Sequence, residues 1–147
     1  MSHDIELSII IVSWNGRRDL EACLQSLRVN SEVPREIIVV DNASADDTLP
    51  MLDGHPEVNV IANPDNRGFA AANNQGLAVA RGEWLLLLNP DTLVPPGALI
   101  LVRRLKAAVP APDARGGRAG GRRLKECYDA AWAPPTALLE KSMSSTR

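Results

Sequence analysis

The stretch Leu7-Ser8-Ile9-Ile10-Ile11-Val12 is a short and almost continuous apolar run near the start of the chain. Three comparable runs follow it, at residues 36–40, 58–61 and 84–88. All four are rich in Ile, Val and Leu and mostly do not alternate with polar residues, which is typical of strands covered on both faces. The sequence therefore predicts four buried β-strands.

The segments between these runs carry helical patterns. We expect helices over residues 17–29, from a cap-like start at 44–47 to about residue 52, over residues 69–80, and after Pro95-Pro96 to about residue 108. In the third of these, Ala72, Gly76 and Val79 share one face. A strict alternation of strands and helices predicts an α/β fold with a mainly parallel, Rossmann-like sheet flanked by helices.

Charge divides the 147-residue chain into two parts, although the formal net charge is only −2. Residues 1–100 hold 6 basic and 14 acidic side chains, whereas residues 101–147 hold 10 and 4. We therefore predict an α/β domain over residues 1–109 and a basic, Gly/Pro/Arg-rich linker and tail over residues 110–147. The tail is irregular or short-helical, with short helices expected at 124–132 and 136–143. Its origin as a selected segment or as a shifted reading frame is left open.

Composition excludes several classes of protein, among them collagen-like chains, disulfide scaffolds and wholly disordered proteins. Cys23 and Cys127 are too few for a disulfide framework, and Cys23 fits a small core position in the first helix. The first four residues form no basic leader, and no apolar run approaches the ~20 residues needed to span a bilayer. We expect a cytoplasmic protein that does not bind nucleic acid, with peripheral contact to the inner membrane face left open.

Polar residues follow every predicted strand. The four sets are Ser13-Trp14-Asn15, Asp41-Asn42, Asn63-Pro64-Asp65-Asn66-Arg67 and Asn89-Pro90-Asp91-Thr92. Any one of them could be ordinary turn chemistry. Ligands of open parallel sheets bind beyond the carboxyl ends of the strands, and all four sets converge there. Together they predict a binding site at that edge.

The expected ligand follows from the charges at this edge. No glycine-rich phosphate loop follows the first strand, and Asp41 and Asp91 would repel a diphosphate. A divalent cation, Mg²⁺ or Mn²⁺, would bridge the two, because it takes carboxylate and phosphate oxygens as ligands. Asp91, on a turn held by Pro90, is the candidate metal ligand. The alternative is that Asp91 caps the helix that follows it.

Other candidates each have a second interpretation. Asp41 could accept hydrogen bonds from a base or a ribose, or cap the following helix. Trp14 could stack on a nucleobase or belong to the core. Arg67 could bind a phosphate or lie in solvent. Asn74, in an Ala-rich helix, is either a site residue or part of the exposed helix face.

Four segments in this order resemble family 2 glycosyltransferases. They are Ser8-Ile9-Ile10-Ile11-Val12-Ser13-Trp14-Asn15, Ile38-Val39-Val40-Asp41-Asn42-Ala43-Ser44, Asn66-Arg67-Gly68-Phe69-Ala70-Ala71-Ala72-Asn73-Asn74-Gln75-Gly76 and Leu87-Leu88-Asn89-Pro90-Asp91-Thr92. The Asn-Pro-Asp form is most similar to the rhamnosyltransferase-like branch, and the resemblance covers roughly residues 5 to 108. Four motifs at the right separations are far more specific than one short motif.

The resemblance implies the donor-binding half of a GT-A fold. It implies a nucleoside-diphosphate sugar as donor, of the dTDP-rhamnose or UDP-sugar type, and inverting transfer to a polysaccharide or lipid-linked acceptor. Asn89-Pro90-Asp91 then stands where the family has its D-x-D motif, with Asp91 as the metal-binding acid. The other donor-binding positions are Trp14, Asn15, Asp41, Asn42, Arg67, Asn74 and Asn89.

One feature of the family has no counterpart in the sequence. Its catalytic base follows the D-x-D motif, usually in a Glu-Asp pair, but the acids after Val109 lie in no matching context. We therefore predict no catalytic base and expect a catalytically incomplete glycosyltransferase. A non-catalytic nucleotide-sugar-binding module or partner subunit is the alternative. A nucleotidyltransferase would need a glycine-rich basic loop after the first strand, and a receiver domain would need clustered acids there.

Overall fold

The structure is a computed structural model that describes residues 5–108, with side chains through residue 105. The predictions for the tail, including its two short helices, lie outside the described residues. Strands and helices alternate along the described chain. In order they are β1 Leu7–Ser13, α1 Arg17–Arg28, β2 Arg35–Asp41, α2 Thr48–Leu52, β3 Val58–Ala62, α3 Phe69–Val79, β4 Trp84–Leu88 and α4 Ala98–Ala108.

The four strands form one parallel sheet in the order β3-β2-β1-β4. β1 pairs with β2 from Leu7 opposite Arg35 to Ser13 opposite Asp41. β4 pairs with the other side of β1 and ends with Leu88 opposite Ile11. The predicted α/β class and parallel sheet are confirmed, and every strand ends at one edge, which we call the carboxyl edge.

Alternate residues of β1 face two separate apolar cores. Ile9 and Ile11 belong to the larger core, which includes buried residues of α1, α2 and α4 such as Leu24 and Leu99. Ile10 belongs to the smaller core, which includes Ala72 of α3. The helices therefore cover both faces of the central strands, and this explains why β1 and β2 carry almost no exposed residue. No described helix is long and apolar enough to cross a bilayer.

The packing of α3 depends on a glycine. A Cβ atom at Gly76 would lie 2.5 Å from Cγ2 of Ile10, so only glycine lets the helix approach β1 this closely. Ala72 and Gly76, on the face that they share with Val79, are buried, whereas the Val79 side chain at the end of the helix is 51% exposed. Leu77 packs against the smaller core instead.

Two sequence predictions need correction. β3 is an edge strand and not covered on both faces, so Asn59 and Val60 are exposed. α2 begins at Thr48 and not near residue 44, because the preceding residues form a loop. Asp46 accepts a hydrogen bond from the backbone N–H of Thr48, at 3.1 Å, and so satisfies a free donor of the first helical turn.

The opposite edge, where the strands begin, is called the amino edge and contains a buried carboxylate. Glu36 is 6% exposed, and its Oε1 accepts hydrogen bonds from Ser8 Oγ and the Arg81 backbone N–H, both at 2.6 Å. Its Oε2 accepts two more from the Arg81 guanidinium, at 3.1 and 2.9 Å. Ser8 Oγ also accepts a hydrogen bond from the Gly82 N–H at 2.8 Å. Every oxygen in this cluster therefore has a partner.

The pKa of Glu36 reflects these partners. Burial alone would raise the pKa of the carboxyl group, but the hydrogen bonds from Ser8 and Arg81 and the charge of Arg81 outweigh it and hold the pKa below its usual value. The carboxylate is thus stabilised in its charged form. A side chain at Gly82 would not fit, since its Cβ would lie 2.5 Å from the Ser8 backbone nitrogen.

Candidate functional site at the carboxyl edge

The loops after β1 and β2 hold each other at the carboxyl edge. The Asn15 backbone N–H donates to Ser44 Oγ at 2.9 Å, and Asn15 Oδ1 accepts from the Ala45 N–H at 2.7 Å. Asp46 Oδ2 also accepts from the Arg17 N–H at 3.1 Å. The side-chain oxygen of Asn15 therefore holds the neighbouring loop in place.

Backbone strain is concentrated in the same loops. Asn15 and Ala43 have φ values of 51° and 61°, and they are the non-glycine residues with positive φ in the described chain. Asparagine tolerates this left-handed conformation, whereas alanine adopts it at a cost of about 1 kcal/mol or more. Strained residues of this kind cluster at functional sites because the surrounding structure must be built to hold them.

Asp41 is the buried carboxylate of this edge. Its side chain is 0% exposed, and Oδ2 accepts from the Ser44 N–H at 3.0 Å. Oδ1 has no hydrogen-bond partner, and neither does the buried hydroxyl of Ser13. Ser13 and Asp41 are register partners on adjacent strands, so both side chains stand on the same face of the sheet. Two unpaired polar atoms therefore lie side by side where the strands end.

Asn42, a predicted donor-binding residue, uses its whole amide to hold the loop after β3. Its Oδ1 accepts from Asn63 Nδ2 at 3.0 Å and from the Arg67 N–H at 3.2 Å. Its Nδ2 donates to the Gly68 carbonyl at 3.3 Å. Asn63 in turn exchanges two hydrogen bonds of 2.8 Å with Gln75 of α3. This amide network fixes the loop that carries Arg67.

Three other predicted residues are exposed at this end of the molecule or on α3. Trp14 is 60% exposed, so it does not belong to the core. Arg67 is exposed and its Nε lies 3.4 Å from Asp65 Oδ1, a surface contact that contributes little to stability. Asn74 lies on the exposed face of α3. Trp14 and Arg67 follow strand ends, whereas Asn74 lies one turn or more inside its helix.

Asp91 lies on a turn between β4 and α4. The Thr92 N–H donates to the Asn89 carbonyl at 3.2 Å and closes the turn, while Asp91 itself is exposed. Among residues 5–105, whose side chains the structure describes, its carboxylate has no hydrogen-bond or ion-pair partner, so it does not cap α4. The Asn89 carbonyl also lies 3.9 Å from Cys23 Sγ.

The thiol of Cys23 is inert at neutral pH. Its burial, and then the negative charge of Asp91, raise the pKa of the thiol to about 12. The prediction that Cys23 is a small core residue is confirmed, since it is 0% exposed. Because the thiol stays protonated, it can donate to the Asn89 carbonyl.

The residues of this edge suit a cation that is bound jointly by the protein and a diphosphate more than a cation bound by the protein alone. No group of three or more His, Cys, Asp or Glu side chains between residues 5 and 108 could hold a metal ion. Asp91 offers one unpaired carboxylate. Mg²⁺ and Mn²⁺ commonly bind through one or two carboxylates together with phosphate oxygens and water. The donor set fits a cation that arrives with a diphosphate.

Three groups at this edge have surroundings that the sequence did not predict. Ser13 ends β1 and Asn63 directly follows β3, so both belong to the polar sets predicted at this edge, but the unpaired hydroxyl of Ser13 and the amide partners of Asn63 were not visible. Gln75 carried no signal, because its partner Asn63 is twelve residues away and meets it only in the fold. The contacts of α1 with the segment after β4 were equally invisible.

Comparison with known proteins identifies a family. The family model described as "Glycosyl transferase family 2" matches residues 8–135. The succinoglycan biosynthesis protein ExoO of Rhizobium meliloti is 30% identical over 113 residues, which is 76% of this chain and 31% of that protein. A poly(ribitol-phosphate) beta-glucosyltransferase of Bacillus spizizenii is 33% identical over 104 residues, or 65% of this chain and 16% of that protein. The chain thus spans a third or less of the length of these two relatives.

Solved structures share the fold. S. aureus TarS 1-349 in complex with UDP-GlcNAc superposes with a TM-score of 0.65 at 22% identity, covering 77% of this chain and 37% of that one. The mannosyltransferase PcManGT of Pyrobaculum calidifontis, in complex with GDP-Man and Mn²⁺, gives a TM-score of 0.61 at 24% identity, covering 71% and 32%. The predicted GT-A architecture is confirmed at the level of the fold.

Proposed function

The chain belongs to glycosyltransferase family 2, and we propose that its carboxyl edge binds a nucleoside-diphosphate sugar together with a divalent cation. The donor is of the UDP-sugar or dTDP-rhamnose type, and the sugar is destined for inverting transfer to a polysaccharide or lipid-linked acceptor. One observation carries the proposal: Asp41, fully buried at the strand ends, keeps an oxygen without a partner.

An unpaired buried oxygen costs about 1–3 kcal/mol, which a hydrogen bond from a ligand would offset. An N–H of a pyrimidine base or an O–H of a ribose would supply the missing hydrogen bond. Since Asp41 is covered in this structure, we expect donor binding to move the segment 43–45, whose strained Ala43 stores part of the energy for that movement.

The remaining residues take roles that fit their exposure. Trp14 offers an exposed aromatic face on which a base can stack. The Arg67 guanidinium can pair with the diphosphate when its contact with Asp65 is broken. Asn15 and Asn42 act indirectly, since their side chains already hold loops. Asn74 and Asn89 are proposed to bind the donor because of their place in the family motifs.

Asp91 is the residue that would hold Mg²⁺ or Mn²⁺. When bound, the cation would neutralise the diphosphate and stabilise it as a leaving group. The chain contributes an exposed carboxylate. Two solved structures with the same fold support a nucleotide-sugar site: one is in complex with GDP-Man and Mn²⁺, and the other with UDP-GlcNAc.

We assign no catalytic base within residues 5–108, and we propose that these residues do not suffice for transfer. The chain on its own would then bind the donor but not transfer the sugar. A nucleotide-sugar-binding module that works beside a partner subunit would give the same result.

Titration and a transfer assay test the proposed donor binding and the proposed incompleteness. The full chain is titrated by calorimetry with UDP, dTDP and GDP, each with and without Mn²⁺, and then incubated with UDP-sugars or dTDP-rhamnose and lipid-linked or polysaccharide acceptors. We expect Mn²⁺-dependent binding of one nucleotide and no transfer above an Asp91→Ala control. Absence of binding would overturn the proposed donor site, and transfer above the control would overturn the proposed incompleteness.

A further inference from the structure

Helix α1 contacts the segment after β4 through three polar side chains. Cys23 and Ser26 lie on the helix and Asn30 follows it, at spacings of three and four residues that place them along one side of the helix. Cys23 and Asn30 are 0% exposed. All three contact the segment Asn89–Val94, which we call the Asp91 turn.

Both ends of the Asp91 turn are held by these contacts. At its start, the Asn89 carbonyl lies 3.9 Å from the Cys23 thiol. At its end, the Val94 N–H donates to Ser26 Oγ at 2.9 Å, and the Val94 carbonyl accepts from Asn30 Nδ2 at 3.3 Å. The backbone donor and acceptor of Val94 are thus both bound to the α1 segment.

The α1 residues are themselves fixed. Ser26 Oγ donates to the Cys23 carbonyl at 2.7 Å, and Asn30 Nδ2 donates to the Ser26 carbonyl at 3.2 Å. The Arg35 guanidinium donates to the carbonyls of Leu27 and Asn30 at the end of the helix. This contact is favourable because a cation lies against the negative end of the helix dipole.

Asp91 lies between the two held ends and contributes nothing to holding them. Its exposed carboxylate makes no contact with residues 5–105 that would fix its position. Its place in space is therefore determined by the backbone on either side, and that backbone is determined by α1.

We propose that Ser26, with Cys23 and Asn30, positions the Asp91 turn so that the carboxylate is preorganised for the divalent cation. The inference rests on the proposed function and adds positioning residues that never touch the cation. A ligand held in place by its supporting contacts loses less conformational entropy on binding. Loss of such a supporting contact typically weakens metal binding by about 10- to 100-fold.

The test uses Ser26→Ala in the full chain, with Ser8→Ala as a matched control. Each serine hydroxyl accepts from one backbone N–H and donates to one oxygen, but Ser8 does so at the amino edge. Mn²⁺ affinity is measured in the presence of saturating UDP, at equal folded fraction by circular dichroism. Amide hydrogen exchange at residues 91–94 reports the order of the turn.

We expect Ser26→Ala to weaken Mn²⁺ binding by about tenfold and to lose amide protection at Val94. Ser8→Ala should leave the Mn²⁺ affinity and the amide protection of the turn unchanged. Ser26→Thr keeps the hydroxyl and should therefore retain both properties. If the wild-type chain binds Mn²⁺ and Ser26→Ala binds it with the same affinity, this inference is overturned but the proposed function is not. A wild-type chain that binds none of UDP, dTDP and GDP with Mn²⁺ would overturn the proposed function and the inference together.

Discussion

Each edge of the sheet contains a buried carboxylate, and the two carboxylates differ in their hydrogen bonding. At the amino edge, both oxygens of Glu36 are fully paired, by Ser8 and Arg81. At the carboxyl edge, Asp41 is more deeply buried, yet it keeps one oxygen unpaired beside the unpaired hydroxyl of Ser13. The buried carboxylate at one edge of the sheet therefore has all its oxygens paired, and the buried carboxylate at the other edge does not.

Backbone strain also differs between the two edges. Positive φ at non-glycine residues occurs at Asn15 and Ala43, both at the carboxyl edge of the described chain. Exposed Trp14 and the unpartnered carboxylate of Asp91 lie in loops of that edge as well. Where local rules are broken without compensation inside the fold, a ligand is the expected compensation. The comparison predicts that changes at the amino edge affect stability and changes at the carboxyl edge affect binding.

The largest effect is expected from alanine at Gly82. Its Cβ would lie 2.5 Å from the backbone nitrogen of Ser8, which cannot move without disturbing β1. We expect Gly82→Ala to lower the free energy of unfolding by about 3 kcal/mol, as measured by urea denaturation. Gly16→Ala, at the carboxyl edge, is the control: its Cβ would meet Ser13 Oγ at an ordinary 3.7 Å, and its effect should be under about 1 kcal/mol. Equal losses at both glycines would contradict the comparison.

Removal of the Asp91 carboxylate should affect binding alone. The side chain is exposed and supports no other described residue, so Asp91→Ala should leave the melting temperature unchanged. We expect Mn²⁺-dependent UDP affinity to fall by about 30-fold, as measured by calorimetry, since the cation loses its protein ligand. Asp47→Ala removes the same charge from the loop before α2 and should bind normally. A similar loss in both variants would mean that only net charge matters.

The same chemical change at both carboxylates provides the sharpest contrast. Glu36→Gln replaces charge-assisted hydrogen bonds and should cost about 1–2 kcal/mol of stability, a modest figure because the Arg81 side chain is 68% exposed. UDP affinity should not change. Asp41→Asn removes a buried charge with an unpaired oxygen, so stability should change by less than about 1 kcal/mol, while UDP affinity falls about tenfold. Stability and affinity would be measured for both, and the reverse pattern would refute the assignment of the edges.

The smallest effect concerns pH. The folded pKa of Glu36 lies below its unfolded value, so its contribution to stability is complete above the unfolded value of about 4.3 and disappears as the pH falls through the folded value. The difference in unfolding free energy between wild type and Glu36→Gln should therefore be largest near pH 7 and shrink below about pH 4.5. Glu57, whose pKa is also lowered, is present in both proteins and cancels. A difference independent of pH would contradict the role of the Glu36 charge.

The sequence was sufficient for the sheet because each strand is a local apolar run whose end is marked by polar residues. β4 was placed at its observed bounds, and β1–β3 differ only by a residue at their ends. The start of α2 was misplaced because Ser44, which is a good capping residue, instead accepts a hydrogen bond from Asn15 in another loop. Exposure of β3 and of Val79 depended on which strand lies at the sheet edge and how α3 rotates around Gly76.

The candidate site was predictable in position but not in its contacts. Strand ends are visible in the sequence, so Asp41 and Asp91 could be chosen as candidates. Two contacts depend on tertiary structure alone. The Asn42 side chain accepts a hydrogen bond from Asn63, and Ser26 binds Val94, which lies 68 residues further along the chain. Polar partners this far apart leave no periodic signal in a single sequence.

Amide hydrogen exchange of the full chain, with and without UDP and Mn²⁺, tests the central claim most directly. The account predicts added protection in the carboxyl-edge segments, residues 13–15, 41–46 and 89–94, and no change at Glu36, Arg81 or Gly82. Protection that appears at the amino edge instead, or no change anywhere in the presence of saturating UDP and Mn²⁺, would contradict it.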